Sequence, residues 1–248
     1  ALRIDRLVHI SRCCGFEHSL KAFSVIESLL ADPRSVFPCD IDPVVWTLAS
    51  VPAATLKFAI LLHELVRPSA DRNNLRRFQR APVDSDAVKT ICARFKMSNR
   101  QTHYVDFIAR KHRWPLLLFE AHRRKRLSDR AVSRFFIMGA EKTPDLLIHA
   151  VADAAGGTCE IGDQEKTFAG FARGLLRRYF TEFLPRKNSP PLLTGRDLID
   201  LLGLQPAPFF FFFLTRVEAD RLAGRLQTKD EAIRRVKKML QRRPTSLR

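Results

Sequence analysis

The segment Thr143–Ala155 reads TPDLLIHAVADAA, and it combines a helical pattern with one polar residue that needs an explanation. Thr143 is a preferred N-cap residue and Pro144 suits the first helical position, so the segment predicts a helix that begins here. Near its end, Asp153 is an isolated acid within the small-residue run Ala150–Ala155. A buried carboxylate is costly unless a partner or a metal neutralises it, which makes Asp153 a candidate functional residue.

Helical patterning continues through the rest of the chain. Apolar residues recur at steps of three and four, and no segment alternates like a strand. Leu56–Leu65 is almost wholly apolar and predicts a buried helix, while Ser98 with Gln101 and Thr228 with Glu231 form capping boxes that start two others. Glycine, at 10 of 248 residues, is too scarce to favour a hairpin-rich fold. The predicted fold class is all-α.

The net charge points to a polyanionic partner. The chain carries 43 Lys and Arg against 26 Asp and Glu, a formal charge of +17. Such an excess favours nucleic acid first and an anionic membrane second. The membrane is the weaker expectation, since no long basic amphipathic stretch with aromatic residues opposite lies early in the chain.

Cysteine usage and hydropathy exclude other classes of protein. The five cysteines include no C-x-x-C pair, so neither a disulfide framework nor a cysteine-based zinc site is indicated. No apolar run reaches 18 residues, and the N-terminus lacks the layout of a signal peptide. We therefore expect a reduced, cytoplasmic protein with no membrane partner. Because the sequence opens on Ala1 in a helix-like stretch, we also expect a fragment of a longer chain.

Histidines and acids suggest a metal site. His63 and Glu64 end the apolar helix Leu56–Leu65, and His18 lies in another apolar-periodic helix. Together with Asp153, these residue types match a site in which a divalent ion activates water against a phosphate ester. The alternative is structural: His18 is then a hydrogen-bonded core histidine and Asp153 a capping or salt-bridging acid.

Several short motifs resemble one family along nearly the whole chain. They are HSL at 18–20, LLHELVRP at 61–68, KMSNR at 96–100, RKHRWP at 110–115, ADA at 152–154, PLLTGRDLI at 191–199, LQP at 204–206 and TKDEA at 228–232. Their order and spacing are similar to the HD-domain body and C-terminal tail of bacterial tRNA nucleotidyltransferases and poly(A) polymerases. The LTGRDL element is the most specific part of this resemblance.

The resemblance implies an HD-domain-like helical bundle over residues 1–157 and a smaller helical RNA-binding tail over 158–248. It implies tRNA as the partner. The family's N-terminal catalytic head, with a Gly-Ser turn and two metal-binding aspartates, has no counterpart here. We therefore expect that this chain alone does not add nucleotides, and the head is the expected missing partner.

Departures from the family pattern predict a degenerate HD site. Its residues would be His18, His63, Glu64, His112 and Asp153. Glu64 replaces the metal-bridging aspartate, while Arg80 and Lys111 stand where the family has histidines. Two added cations should repel a divalent ion, so we expect no cofactor and no efficient phosphohydrolase activity. Mg²⁺ or Mn²⁺ is expected only if the site is functional.

Three basic clusters predict the RNA-binding surface. Their residues are Arg123, Arg124, Lys125, Arg126, Arg130 and Arg134, then Arg173, Arg177, Arg178, Arg186 and Lys187, then Arg234, Arg235 and Lys238, with Arg196 in the LTGRDL element. Such residues neutralise phosphates and release counterions. Tyr179, beside Arg177 and Arg178, is predicted to stack on an unpaired base. The five phenylalanines of Phe209–Phe213 are predicted to lie in a core or an interface.

Three functions remain open at this point. The first is RNA binding by the body and tail of a tRNA nucleotidyltransferase or poly(A) polymerase family protein. The second is a metal-dependent HD phosphohydrolase that acts on nucleotides or cyclic phosphodiesters. The third is a non-catalytic module that docks another polypeptide through the Phe-rich segment.

Overall fold

The computed structural model describes residues 14–31, 53–63, 86–156 and 162–241, and at 14–16 and 162–167 it describes the backbone alone. All regular structure in these ranges is helical, which confirms the predicted all-α class. The helices are α1 (Cys14–Ala31), α2 (Ala53–Leu62), α3 (Asp86–Arg94), α4 (Asn99–Lys111), α5 (Trp114–Arg123), α6 (Asp129–Gly139), α7 (Thr143–Ala155), α8 (Gly162–Arg178), α9 (Leu184–Asn188), α10 (Gly195–Leu202), α11 (Phe209–Leu222) and α12 (Lys229–Gln241). A 3₁₀ turn, Ala140–Lys142, precedes α7, and a π-helical turn, Tyr179–Phe183, follows α8.

The chain divides into two compact units. The first comprises Ala1–Leu127 and Gly139–Arg177, and the second Ser128–Met138 and Arg178–Arg248. The domain limits predicted from the sequence, 1–157 and 158–248, stay a prediction. No described helix is both long enough and apolar enough to cross a membrane.

Helix α7 is the central helix of the first unit. Every residue from Thr143 to Ala152 is buried, because the helix is apolar on nearly all sides and packs against α1, α2, α4 and α5. Its start differs from the prediction. Thr143 already has helical dihedral angles, since the 3₁₀ turn runs directly into α7, and Lys142 occupies the N-cap position without a side-chain cap. The two predicted capping boxes, at Ser98 and Thr228, are confirmed.

Asp145, in the first turn of α7, makes the stability of the first unit depend on pH. Its carboxylate is buried and accepts a hydrogen bond from the Tyr104 hydroxyl at 2.7 Å. Burial raises the pKa of Asp145 to about 6, although the Tyr104 hydrogen bond and the charge of Lys142 act in the opposite direction. Between about pH 4 and 6 the folded chain therefore binds more protons than the unfolded chain, so stability falls as pH rises through that window.

Replacing Asp145 with asparagine should remove this loss. Asparagine keeps a carbonyl oxygen for the Tyr104 hydroxyl but does not ionise. We expect the free energy of unfolding of Asp145→Asn, relative to wild type, to increase by about 2 kcal/mol between pH 4 and pH 7. Urea denaturation at each pH measures the difference, and a difference that stays constant across this range would contradict the prediction.

The second unit has a separate apolar core. Leu198 from α10, Phe213 and Val217 from α11, and Ala232 and Val236 from α12 are buried together. At the start of α10, the Thr194 side chain and the Asp197 carboxylate form a capping box.

The Phe209–Phe213 run divides between this core and the surface. Phe213 is fully buried and Phe209 and Phe210 are partly buried against the core, whereas Phe211 and Phe212 are 78% and 43% exposed. A single helix face cannot bury five successive side chains.

Candidate functional site

Five polar side chains from four helical segments meet in the first unit, and we call them the His–Asp cluster. His149 and Asp153 stand one turn apart on α7, His18 comes from α1, His63 directly follows α2, and His112 caps the end of α4. The centroid of the His63 ring lies 5.0 to 5.4 Å from the centroids of the other three histidine rings. The packing of α7 against α1, α2 and α4 thus brings distant parts of the sequence to one place.

One carboxylate oxygen joins two of the histidines. His18 Nε2 lies 2.7 Å from Asp153 Oδ1, and His63 Nε2 lies 3.0 Å from the same oxygen. Burial alone would raise the pKa of Asp153, but the hydrogen bonds with His18 and His63 outweigh it and hold that pKa well below its usual range. Asp153 is therefore ionised and orients both imidazole rings.

The backbone determines which nitrogen of His63 carries a proton. His63 Nδ1 lies within hydrogen-bond distance of the Ile60 carbonyl oxygen, which can only accept, so Nδ1 is the donor. In a neutral ring Nε2 then carries a lone pair. A lone pair that faces the Asp153 carboxylate at 3.0 Å is repelled unless a positive charge is present. The cluster therefore needs either a second proton on His63 or a bound cation.

His149 is a member of the cluster that the sequence analysis did not select. Its side chain is fully buried, and neither ring nitrogen has a hydrogen-bond partner among the described residues. Burial lowers the pKa of His149 well below its usual range, and the nearby His63 adds to this effect, so the ring is neutral. The i, i+4 spacing to Asp153 was the signal that could have identified it, because such residues share one helix face.

Of the other residues considered for the metal site, the structure describes His112 and Lys111. His112 is buried, and its Nδ1 donates to the Ala109 carbonyl oxygen at 2.7 Å, which orients the ring towards the cluster. Glu64 and Arg80 lie outside the described residues. The ammonium group of Lys111, predicted to repel a metal, lies 5.5 Å from the centroid of the Trp114 ring, as in a cation–π contact.

The donor set fits a divalent transition metal. His18, His63 and Asp153 offer one donor atom each, and these atoms lie within 4.8 Å of one another. Ligand atoms of a six-coordinate ion with bonds of about 2.1 Å are about 3 Å apart, close to the 2.7 and 3.0 Å that separate Asp153 Oδ1 from the two imidazole nitrogens. Two imidazoles and one carboxylate suit manganese better than magnesium, which prefers oxygen ligands.

A second candidate site lies in the second unit, and we call it the arginine groove. It is a cavity of about 970 Å³. Seven arginines line it within the described part of the chain, together with the acids Asp129, Glu182 and Asp220. The seven are Arg130, Arg134, Arg178, Arg186, Arg216, Arg225 and Arg235. Positive charge therefore exceeds negative charge on its walls, which suits an anionic ligand.

The acids hold some of these arginines in place. Asp220 accepts hydrogen bonds from Arg225 and from Arg235, the latter at 2.8 Å, and Arg178 lies 3.2 Å from Asp129. Burial alone would raise the pKa of Asp220, but its two arginine partners outweigh burial and hold that pKa below its usual range. Gly224 leaves room for the Arg186 guanidinium, because a Cβ at Gly224 would lie 2.9 Å from its central carbon.

The structure separates the predicted RNA-binding residues into two groups. Arg130, Arg134, Arg178, Arg186 and Arg235 line the groove. The others are exposed but do not line it: Arg123, Arg124, Lys125, Arg126, Arg173 and Arg177 in the first unit, and Lys187, Arg196, Arg234 and Lys238 in the second. Arg216 and Arg225 were missed, because each stands apart from the basic runs in the sequence.

The prediction that Tyr179 stacks on an unpaired base is wrong. Tyr179 is 1% exposed and packs against the rings of Phe136, Phe180 and Phe183. The π-helical turn that follows α8 directs the tyrosine into the core of the second unit, although the neighbouring arginines remain at the surface.

No family model matches this sequence, and no curated protein matches it either. The resemblance to tRNA nucleotidyltransferases and poly(A) polymerases therefore stays a prediction.

Proposed function

We propose that this chain binds structured RNA, with tRNA as the preferred ligand, through the arginine groove. The observation that carries this proposal is the convergence of seven arginines on one cavity. Arginine offers a planar fork of donors that matches a phosphate, and it keeps its charge at all physiological pH values. The net charge of +17 adds long-range attraction to the same ligand.

The family proposal rests on the motifs of the sequence. LTGRDL and the HD-like segments support the view that the chain is the body and tail of a tRNA nucleotidyltransferase or poly(A) polymerase family protein. Such a role implies recognition of A-form RNA by shape and backbone contacts, which suits arginines aimed at phosphates.

Binding to labelled tRNA at two salt concentrations tests the proposal. In fluorescence polarisation we expect the Kd to rise at least tenfold between 50 and 200 mM KCl, because phosphate contacts release counterions. A DNA duplex of matching length serves as a competitor, and we expect it to compete less well than tRNA. Salt-independent binding, or no binding at 50 mM KCl, would contradict the proposal.

A second candidate function is a metal-dependent phosphohydrolase, and the His–Asp cluster favours it. His18, His63 and Asp153 would hold the ion, and the carboxylate and the two oriented imidazoles are already in contact. A divalent ion bound there would activate water against a phosphate ester. His18 and Asp153, each about one-fifth exposed, form the solvent-facing side of the His–Asp cluster. A substrate would approach the ion from that side.

Calorimetric titration with Mn²⁺ decides whether this second function is retained. A micromolar Kd that is lost in Asp153→Asn supports the phosphohydrolase, because asparagine removes the negative charge with little change in shape. Asp230→Asn is the matched control, since it makes the same change at an exposed acid of the second unit. Absence of binding in the wild type supports the degenerate site predicted from the sequence.

A further inference from the structure

Two phenylalanines at the start of α11 expose much of their side chains to solvent. Phe211 and Phe212 are 78% and 43% exposed, whereas Phe213 anchors the same turn in the core of the second unit. Large apolar side chains that cluster on a surface commonly mark an interaction site.

Phe212 contacts an arginine that lines the arginine groove. Arg216 stands one turn further along α11, and its guanidinium carbon lies 5.4 Å from the centroid of the Phe212 ring. Arg216 also lines the groove. The exposed ring of Phe212 is therefore next to Arg216, which lines the groove proposed to hold the RNA phosphates.

This combination matches the chemistry of an unpaired nucleobase. Exposed bases of RNA stack on aromatic rings and on guanidinium planes, whereas bases inside a duplex are already stacked on each other. The groove offers positive charge for the backbone, and Phe212 offers an apolar surface for a base. A purely apolar protein partner would gain nothing from the Arg216 guanidinium beside this ring.

We propose that Phe212, together with Arg216, is a stacking platform for an unpaired nucleotide at the edge of the groove. The preferred ligand is then an RNA duplex that ends in a short single-stranded overhang. This inference rests on the proposed RNA-binding function and names the RNA class that it would select.

Two RNA hairpins test the proposal, one blunt and one with a two-nucleotide 3′ overhang that carries 2-aminopurine at its first unpaired position. We expect the wild type to bind the overhang hairpin about tenfold more tightly than the blunt one, and to change the 2-aminopurine fluorescence on binding. Phe212→Leu keeps an apolar side chain but removes the ring. It should bind both hairpins equally, at the affinity of the wild type for the blunt one.

Two further variants complete the experiment. Phe95→Leu removes an exposed phenylalanine of the first unit and should behave like the wild type. Phe212→Tyr restores a ring and should restore the preference for the overhang. Wild-type protein that binds both hairpins equally, or Phe212→Leu that retains the preference, would overturn the inference. So would weak binding of the blunt hairpin by both Phe212 variants, because that result assigns Phe212 a structural role.

The outcomes also separate this inference from the proposed function. Salt-sensitive binding of the blunt hairpin, without any preference for the overhang, supports the groove and overturns the platform. If neither hairpin binds, the proposed function fails and the inference fails with it. Capture of a protein with no RNA affinity would point to the docking module instead.

Discussion

Removing three arginines from the groove should weaken RNA binding about 100-fold at 0.1 M salt. We select Arg130, Arg134 and Arg216, none of which forms an ion pair within the described residues, so their replacement by glutamine leaves no carboxylate unpaired. Each lost phosphate contact also lowers the slope of log K against log salt by about 0.7 to 0.9. The slope should therefore fall by about 2 to 3, as measured by fluorescence polarisation over a salt series.

A matched variant separates the groove from the net charge. Lys21, Arg94 and Arg100 are exposed residues of the first unit, and their replacement by glutamine changes the charge by the same amount. We expect this variant to lose less than a factor of ten in affinity, because it removes long-range attraction but no groove contact. Equal losses in the two variants would show that binding depends on overall charge and not on the groove.

Gly156→Ala should destabilise the first unit by about 3 kcal/mol, the upper end of the usual cost of overpacking. Gly156 follows the last turn of α7, and a Cβ there would lie 2.6 Å from the backbone nitrogen of Ala22 on α1. The obstacle is backbone and cannot move like a flexible side chain, so the two helices must separate. Ala22 stands one turn from His18, and the change should also move His18 away from Asp153.

Gly174→Ala provides the opposite expectation. Gly174 lies within α8, and a Cβ there meets no atom within 4 Å among those that the structure describes. Because alanine has the higher helix propensity, this variant should be about 1 kcal/mol more stable than the wild type. Urea denaturation measures the free energy of unfolding of Gly156→Ala and of Gly174→Ala. Similar values for the two variants would contradict the close approach of α1 and α7.

The sequence predicted most of the His–Asp cluster but not its full membership. His18, His63 and Asp153 were selected because polar residues in apolar helices need partners, and the structure brings them into contact. His149 was missed because a single histidine on an apolar face resembles an ordinary core residue, and only its i, i+4 spacing to Asp153 distinguishes it. Gly156 lets two helices approach closely, a role that becomes visible only in the folded chain.

The arginine groove could be predicted only in part. Its walls come from α6, the end of α8 and the turn after it, α9, α11 with the loop that follows, and α12, so the lining residues are spread from 129 to 235. Local charge runs identified Arg130, Arg134, Arg178, Arg186 and Arg235, but an isolated arginine such as Arg216 carries no local signal. The exposure of Tyr179 was predicted wrongly, because a π-helical turn changes which residues face the core and a period of 3.6 does not anticipate it.

The absence of lysine from the lining of the groove has a regulatory consequence. All the cationic residues that the described structure contributes to it are arginines. Acetylation neutralises lysine but leaves arginine charged. Lysine acetylation would therefore leave the positive charge of the groove unchanged, although it would neutralise exposed lysines of the same unit such as Lys187 and Lys238.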